Sequence, residues 1–183
     1  LVLKNRELLM DIVQLETGKN RASAADEVLD VVITTRFYAN NAGKFLNDKK
    51  RPGALPIITK NTQQYVPKGV VGQITPWNYP LTLGVSDAVP ALLAGNAVVA
   101  KPDLATPFSC LIMMHLLIEA GLPRDLMQVV TGPGDIVGGA IAAQCDFLMF
   151  TGSTATGRIL GRTMGERLVG FSAELGGKNP LIV

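Results

Sequence analysis

The sequence is poor in several residue types on which particular classes of protein depend. It has 2 cysteines and 1 histidine among 183 residues, so we expect no disulfide framework and predict no metal site. Charged residues make up 17% of the chain and the formal net charge is +2, without the basic stripe typical of nucleic-acid binding. The apolar stretches are interrupted before they could span a bilayer. These features predict a globular protein in a reducing, cytoplasmic setting, with neither nucleic-acid nor membrane partners.

From residue 70 onward, the chain alternates short apolar runs with helix-like segments. The predicted strands are 70–74, 97–100, 127–130, 147–150 and 168–173, and the predicted helices are 80–94, 107–120, 135–143 and 153–164. Short buried strands separated by helices imply right-handed crossovers and a parallel sheet. We therefore predict an α/β fold, a Rossmann-like parallel sheet with flanking helices, which binds ligands at the carboxyl ends of its strands. Pro90 is expected to kink the first of these helices.

The N-terminal part of the chain is predicted to be helical. Leu8, Ile12 and Leu15 would share one face of a first helix that ends at Gly18. A second helix is predicted over 22–42, although a β-branched run in its middle favours a strand by propensity alone. A polar loop over 47–56 follows. Two strand candidates, 56–59 and 62–66, could then form a hairpin.

Polar residues follow the first two predicted strands of the sheet. Asn78 lies in a turn stiffened by prolines, where its amide could stabilise a developing oxyanion or could satisfy its own backbone. Lys101 follows the second strand and could reach a ribose hydroxyl or a phosphate. Taken alone, it is more simply an ordinary exposed lysine.

Two further motifs follow the last two strands. Gly152 allows a tight turn and Ser153 is a suitable helix N-cap, so the helix N-terminus could hold a pyrophosphate. The Gly-x-x-x-x-Gly spacing differs from the dinucleotide fingerprint, and a plain capped turn explains it equally well. Glu174 ends a strand and could act as a general base, or it could be a solvated turn residue. Gly177 would let the backbone approach a ligand closely.

Together, these motifs resemble those of the aldehyde dehydrogenase superfamily. Five of them occur in the family's order and at its usual separations: 15–19, 77–80, 94–96 with 101–102, 150–157 and 173–179. Segments 85–87, 101–107 and 152–158 are most similar to bacterial succinate-semialdehyde dehydrogenases. The resemblance implies oxidation of a small-molecule aldehyde to a carboxylate with NADP or NAD.

The resemblance also implies roles for individual residues. In this family a cysteine thiolate attacks the aldehyde, an asparagine matching Asn78 holds the oxyanion, and hydride passes to the nicotinamide. A glutamate matching Glu174 then activates the water that hydrolyses the thioester. The cofactor-binding residues implied are Lys101 at the adenosine ribose, Ser153 at the pyrophosphate, Trp77 along the same side, and Gly152 and Gly177 as close-approach positions.

The sequence departs from the family pattern in two respects. Neither Cys110 nor Cys145 occupies the place of the nucleophile, and both are expected to be buried core thiols. We therefore expect residues 1–183 to be an incomplete NAD(P)-binding domain without a catalytic domain, and to be inactive alone. The family often has a ribose-chelating glutamate three residues after the lysine, where this chain has Leu104 beside Asp103, so NADP should be accepted.

Three alternatives remain at this point. A CoA-acylating aldehyde dehydrogenase shares the fold but generally lacks the glutamate that Glu174 matches. The chain could be a catalytically silent nucleotide-binding relative. An ordinary Rossmann reductase is disfavoured by the absence of its glycine fingerprint.

By family analogy the hairpin over 56–67 would be an oligomerisation arm, which implies a homo-oligomer.

Overall fold

The computed structural model describes residues 1–55 and 57–182, so the parts of the predictions that concern Pro56 and Val183 lie outside the described residues. The helices are α1 (Arg6–Thr17), α2 (Arg21–Leu46), α3 (Pro80–Ser86), α4 (Ala88–Leu93), α5 (Pro107–Glu119), α6 (Gly139–Gln144) and α7 (Thr154–Glu166). The strands are β1 (Lys49–Arg51), β2 (Asn61–Gln63), β3 (Val70–Ile74), β4 (Ala97–Lys101), β5 (Met127–Val129), β6 (Phe147–Gly152) and β7 (Gly170–Leu175). The alternation predicted from residue 70 onward is thus observed.

Five strands form one parallel sheet in the order β5-β4-β3-β6-β7. Helices α6 and α7 pack on one face around a core that includes Leu148, Phe150 and Leu160. Helices α4 and α5 cover the other face, where Val98 and Cys110 are buried. Both faces are covered, as a parallel sheet requires, and the predicted α/β class is confirmed.

Helices α1 and α2 form an additional layer that packs on α3 and α5. The predicted helices are present, and Gly18 ends α1 in the left-handed conformation with φ 71°. The predicted apolar face of α1 is wrong, because Leu8 and Leu15 are 47% and 82% exposed. The buried residues are Leu9, Met10 and Val13, so this face is rotated by about one residue from the predicted one.

The small hairpin differs from the predicted one. Lys49–Arg51 pairs antiparallel with Asn61–Gln63, so the first strand lies inside the predicted polar loop. Residues 57 and 58 form a turn instead of a strand. The apolar character of Ile57 and Ile58 suggests a strand, but both side chains are exposed. Strand pairing at this place would therefore bury no apolar surface.

Two further boundaries differ for steric reasons. The helix predicted over 80–94 is interrupted at Asp87. In a continuous helix, a proline ring clashes with the carbonyl group of the residue four positions earlier, which for Pro90 is Ser86. The last strand begins at Gly170, not Leu168, because Leu168 has φ 55° and is exposed in the turn after α7. The helix predicted from residue 135 begins with a π-helical turn over Gly134–Gly138.

Candidate active site

A cavity of about 560 Å³ opens at the carboxyl ends of β3, β4 and β6, between the sheet and helices α6 and α7. Ile74 is in register with both Lys101 and Phe150, so these three strands end at the same level. This is the edge at which open α/β sheets bind ligands. Four of the residues predicted to bind a cofactor line the cavity: Trp77, Lys101, Gly152 and Ser153.

Lys101 is buried, and its ammonium group makes fewer hydrogen bonds than it has donors. It is 5% exposed, and its Nζ donates to the carbonyl of Pro102 at 3.0 Å. An ammonium group has three donors, and the described residues place no carboxylate within 4.0 Å of it. The interpretation as an ordinary exposed lysine is therefore wrong. A buried, unpaired ammonium at the cavity wall suits a ribose hydroxyl or a phosphate oxygen.

Ser153 caps α7, as predicted. Its Oγ accepts a hydrogen bond from the backbone N–H of Thr156 at 3.1 Å and donates to the hydroxyl of that residue at 2.9 Å. Both side chains line the cavity, so the N-terminus of α7 faces it. The free N–H groups and the dipole of a helix N-terminus favour an anion such as a pyrophosphate.

The two glycines around this cap leave room for neighbouring side chains. A Cβ atom on Gly152 would lie 2.6 Å from Cζ of Phe150, and one on Gly157 would lie 2.6 Å from Cδ2 of Leu175. The Gly-x-x-x-x-Gly spacing thus lets α7 approach β6 and β7 closely. Close approach to a ligand was the reason predicted for Gly152, and contact with the protein itself supplies another.

One wall of the cavity was missed by the sequence analysis. It includes Asp135 and Gly138 from the π-helical turn, Gly139 at the start of α6, and Ile159 and Thr163 from α7. The available signal was the glycine- and proline-rich segment after β5, which marks a strand end at the same rim. The sequence analysis predicts only the start of a helix in that segment.

One of the two predicted catalytic residues, Glu174, projects to the opposite side of the sheet edge. Gln73 donates to the carbonyl of Leu83 at 2.7 Å and so points towards α3. The register runs from Gln73 through Met149 to Ser172. Alternate residues of a strand share a face, so Glu174 also projects towards the α3 side.

Asn78 lies in the connection from β3 to α3, and its side chain is exposed. Within residues 1–55 and 57–182, its amide makes no hydrogen bond to the protein, so the alternative that it satisfies its own backbone is not supported. Neither Asn78 nor Glu174 lines the 560 Å³ cavity. Gly177 lies beyond β7 in an irregular segment and does not line it either. Glu174 thus projects to the other side of the rim from the four cofactor candidates that line the cavity.

Asp87 is a second carboxyl group that interacts electrostatically with Glu174. Burial at the junction of α3 and α4 raises the pKa of the Asp87 carboxyl, and the negative charge of Glu174 raises it further. Glu174 is therefore close enough to act on this junction electrostatically. A carboxylate pair on the catalytic side was not foreseen from the sequence, because the two residues are 87 positions apart.

Both cysteines are buried, as predicted. Burial, followed by the charge of Glu16, raises the pKa of Cys110 to about 12. Burial is also the main cause of the raised pKa of Cys145. The nucleophilic form of cysteine is the thiolate, so neither residue provides an activated nucleophile near neutral pH.

The described ranges hold neither a membrane-spanning helix nor a cluster of metal-binding side chains. No helix in them combines the length and apolar character needed to cross a membrane. No group of three or more metal-binding side chains occurs in the same part of the chain.

The chain was compared with known proteins and structures. The model of the aldehyde dehydrogenase family matches residues 1–183. A Mycolicibacterium smegmatis protein named "Putative succinate-semialdehyde dehydrogenase", with NADP(+) as cofactor, is 59% identical over 183 residues, which are 100% of this chain and 35% of that protein. Betaine aldehyde dehydrogenase 1 of Oryza sativa subsp. japonica is 36% identical, over 99% of this chain and 37% of that protein. The chain thus spans about a third of the length of these relatives.

Solved structures agree with this result. A Staphylococcus aureus betaine aldehyde dehydrogenase in complex with NAD+ superposes with a TM-score of 0.93 at 31% identity, covering 98% of this chain and 36% of that one. A Corynebacterium glutamicum NAD-dependent benzaldehyde dehydrogenase gives 0.89 at 32% identity, covering 96% of this chain and 38% of that one. The fold, the residues at the sheet edge and these matches over the whole chain show that it belongs to the aldehyde dehydrogenase family.

Proposed function

We propose that this chain forms the NAD(P)-binding part of an enzyme that oxidises an aldehyde to a carboxylate. The observation that carries the proposal is the division of the sheet edge into two sides. Lys101 and Ser153 line a cavity on the side of α6 and α7. Glu174 projects to the side of α3, and Asn78 lies in the connection that leads from β3 to α3. A dinucleotide and an aldehyde could therefore meet across one rim.

The cavity residues fit a dinucleotide by their donor chemistry. Lys101 offers unused ammonium donors to the adenosine ribose or its phosphate, and the capped start of α7 offers backbone N–H groups to the pyrophosphate. When bound, the nicotinamide would supply the acceptor for a hydride. Trp77 and Gly152, which line the cavity, would lie beside the bound dinucleotide.

The catalytic residues would act on the substrate from the α3 side. The amide of Asn78 would donate a hydrogen bond to the carbonyl oxygen as negative charge develops there, which is the usual task of an oxyanion hole. Glu174 would accept a proton from the water that releases the acyl product. The covalent step needs a thiolate. Because Cys110 and Cys145 are buried with raised pKa values, we propose that polypeptide outside residues 1–183 supplies it.

We further propose that NADP is accepted. Leu104 is 55% exposed at the position where the family often has a glutamate. Asp103 lines the cavity, but its carboxylate accepts a hydrogen bond from the N–H of Ala105 at 2.9 Å. With its carboxylate engaged in a local turn, Asp103 would repel a 2′-phosphate less than a free carboxylate aimed at the ribose.

Calorimetric titration of the whole enzyme with NADP+ and NAD+ tests cofactor binding. We expect NADP+ to bind at least as tightly as NAD+, and Lys101→Met to weaken binding of both by about tenfold, the effect of losing a charge-assisted hydrogen bond. Lys4→Met, at an exposed lysine far along the chain, serves as the control. Much tighter binding of NAD+ would refute the NADP proposal, and an unchanged affinity in Lys101→Met would refute the assigned site.

The aldehyde is proposed from the relatives. Because the chain is 59% identical to the M. smegmatis protein, we propose succinate semialdehyde as the substrate. Steady-state rates of the whole enzyme with a panel of aldehydes, with and without a terminal carboxylate, test this proposal. A higher kcat/KM for an uncharged aldehyde than for succinate semialdehyde would overturn it.

The remaining proposals concern the state of the protein. We propose that residues 1–183 alone do not oxidise aldehydes, since neither cysteine is an available thiolate, and NADPH formation by the purified chain would refute this.

We also propose a cytoplasmic homo-oligomer in which the region 56–67 contributes to an oligomerisation arm. Its apolar Ile57, Ile58 and Val66 are exposed, which suits burial in an interface.

A further inference from the structure

The turn that carries Asn78 is held from the N-terminal layer of the molecule. Glu27 on α2 is 1% exposed. Its Oε2 accepts hydrogen bonds from the backbone N–H groups of Leu81 at 3.0 Å and Thr82 at 3.1 Å. These are the first two backbone donors of α3, because Pro80 at its first position has no N–H. Glu27 therefore caps the helix that follows Asn78.

Lys19 completes this arrangement. Its Nζ donates to Oε1 of Glu27 at 2.5 Å and lies 3.7 Å from the centre of the Tyr79 ring. The Glu27 side chain has no exposed surface, and that of Lys19 is 18% exposed. A buried carboxylate needs both hydrogen bonds and a counter-charge, and here the counter-charge also contacts the residue next to Asn78.

The Asn78 side chain is exposed, and its amide has no hydrogen-bond partner in the described ranges. The backbone of residues 77–80 therefore sets the point from which the amide can reach a ligand. Glu27 fixes that backbone on the C-terminal side through the α3 donors. Lys19 fixes it through the Tyr79 ring.

We propose that Glu27 and Lys19 are positioning residues that orient the Asn78 amide towards the oxyanion. This inference rests on the proposed function, in which Asn78 is the oxyanion donor. Neither residue of the pair lines the 560 Å³ cavity. The pair acts by keeping the 77–80 turn in one conformation, so that the donor is already oriented before charge develops.

The test uses the whole enzyme and the variants Glu27→Gln and Lys19→Gln. We expect kcat to fall by about tenfold to a hundredfold, the cost of a misplaced reacting group, while the dissociation constant for NADP+ stays within about twofold. Lys19→Arg keeps a cation above Tyr79 and should recover most of the lost kcat. Glu16→Gln, which weakens the cap of α5 instead, is the matched control and should leave kcat unchanged.

A double-mutant cycle with Asn78→Ala separates positioning from general destabilisation. If Lys19 acts through Asn78, adding Lys19→Gln to Asn78→Ala should lower kcat by less than twofold further. Full multiplication of the two losses, or an equal loss of kcat in Glu16→Gln, would overturn the inference. Should Asn78→Ala alone leave kcat unchanged, the proposed function itself fails. Because Lys19 is partly exposed, its variants keep the test valid even if Glu27→Gln does not fold.

Discussion

Helices α3, α5 and α7 each follow a strand of the parallel sheet, but α3 and α5 are capped in a different way from α7. Pro80 and Pro107 open α3 and α5, and the residues before them make no side-chain cap. Glu27 caps α3 from 54 positions away, and Glu16 caps α5 from 92 positions away. Ser153 caps α7 directly before the helix begins.

This difference in capping means that the starts of these helices depend on different contacts. Helix α7 can begin correctly once its own strand and turn are formed. The first N–H groups of α3 and α5 donate instead to carboxylates on α2 and α1. We therefore expect the start of α7 to depend on local contacts, and the turn that carries Asn78 to depend on contacts with the N-terminal helices.

The strongest test of this comparison is Glu27→Ala. It leaves two N–H donors of α3 without an acceptor and Lys19 without its counter-charge, which costs about 3–5 kcal/mol for a broken buried pair. Hydrogen–deuterium exchange of the whole protein should show faster exchange of the α3 amides by on the order of a hundredfold or more. The α7 amides should change much less.

A variant on the same helix provides the control for this prediction. Asp26 is exposed and precedes Glu27 directly. Asp26→Ala should leave exchange of α3 within a factor of about two, since exposed substitutions rarely exceed 0.5 kcal/mol. Unchanged protection of α3 in Glu27→Ala would show that the remote cap is dispensable.

The same comparison explains which parts of the fold could be predicted from the sequence. The existence and chain order of the sheet strands and the Ser153 cap follow from residues that are neighbours in the chain, and both were found as predicted, although the last strand begins at Gly170. The caps of α3 and α5 join residues far apart in the sequence, so no local pattern indicates them. The family motif at 15–19 is visible in the sequence, but its physical role depends on contacts with residues far along the chain, of Glu16 with Ser109 and of Lys19 with Tyr79.

Prediction of the candidate site was limited in a similar way. Residues at strand ends were identified because the carboxyl edge of a parallel sheet is known to bind ligands. Their distribution over two sides of the rim depends on strand register, which the sequence does not reveal. The burial of Lys101 was missed for the same reason, since it follows from packing of the neighbouring strands.

An intermediate effect is expected for Glu16→Ala. Glu16 accepts hydrogen bonds from the N–H of Phe108 at 2.5 Å and of Ser109 at 2.9 Å, and from the Ser109 hydroxyl at 2.5 Å. Loss of hydrogen bonds to a charged group costs about 1.5–3 kcal/mol, so α5 amides should exchange roughly tenfold to a hundredfold faster. Glu119→Ala, at the exposed far end of α5, is the control. A result equal to that of the control would contradict the role given to Glu16.

The smallest effect is expected for Ser153→Ala, because a local cap contributes only about 1 kcal/mol. Exchange of the first-turn amides of α7 should accelerate by roughly fivefold, with α3 and α5 unaffected. Ser153→Thr should retain most of the protection, since threonine is also an N-cap residue. The helix would keep its close packing at Gly157 against Leu175, which is independent of the cap. A loss in Ser153→Ala as large as that in Glu27→Ala would mean that α7 also depends on distant contacts, and the distinction between local and remote capping would no longer hold.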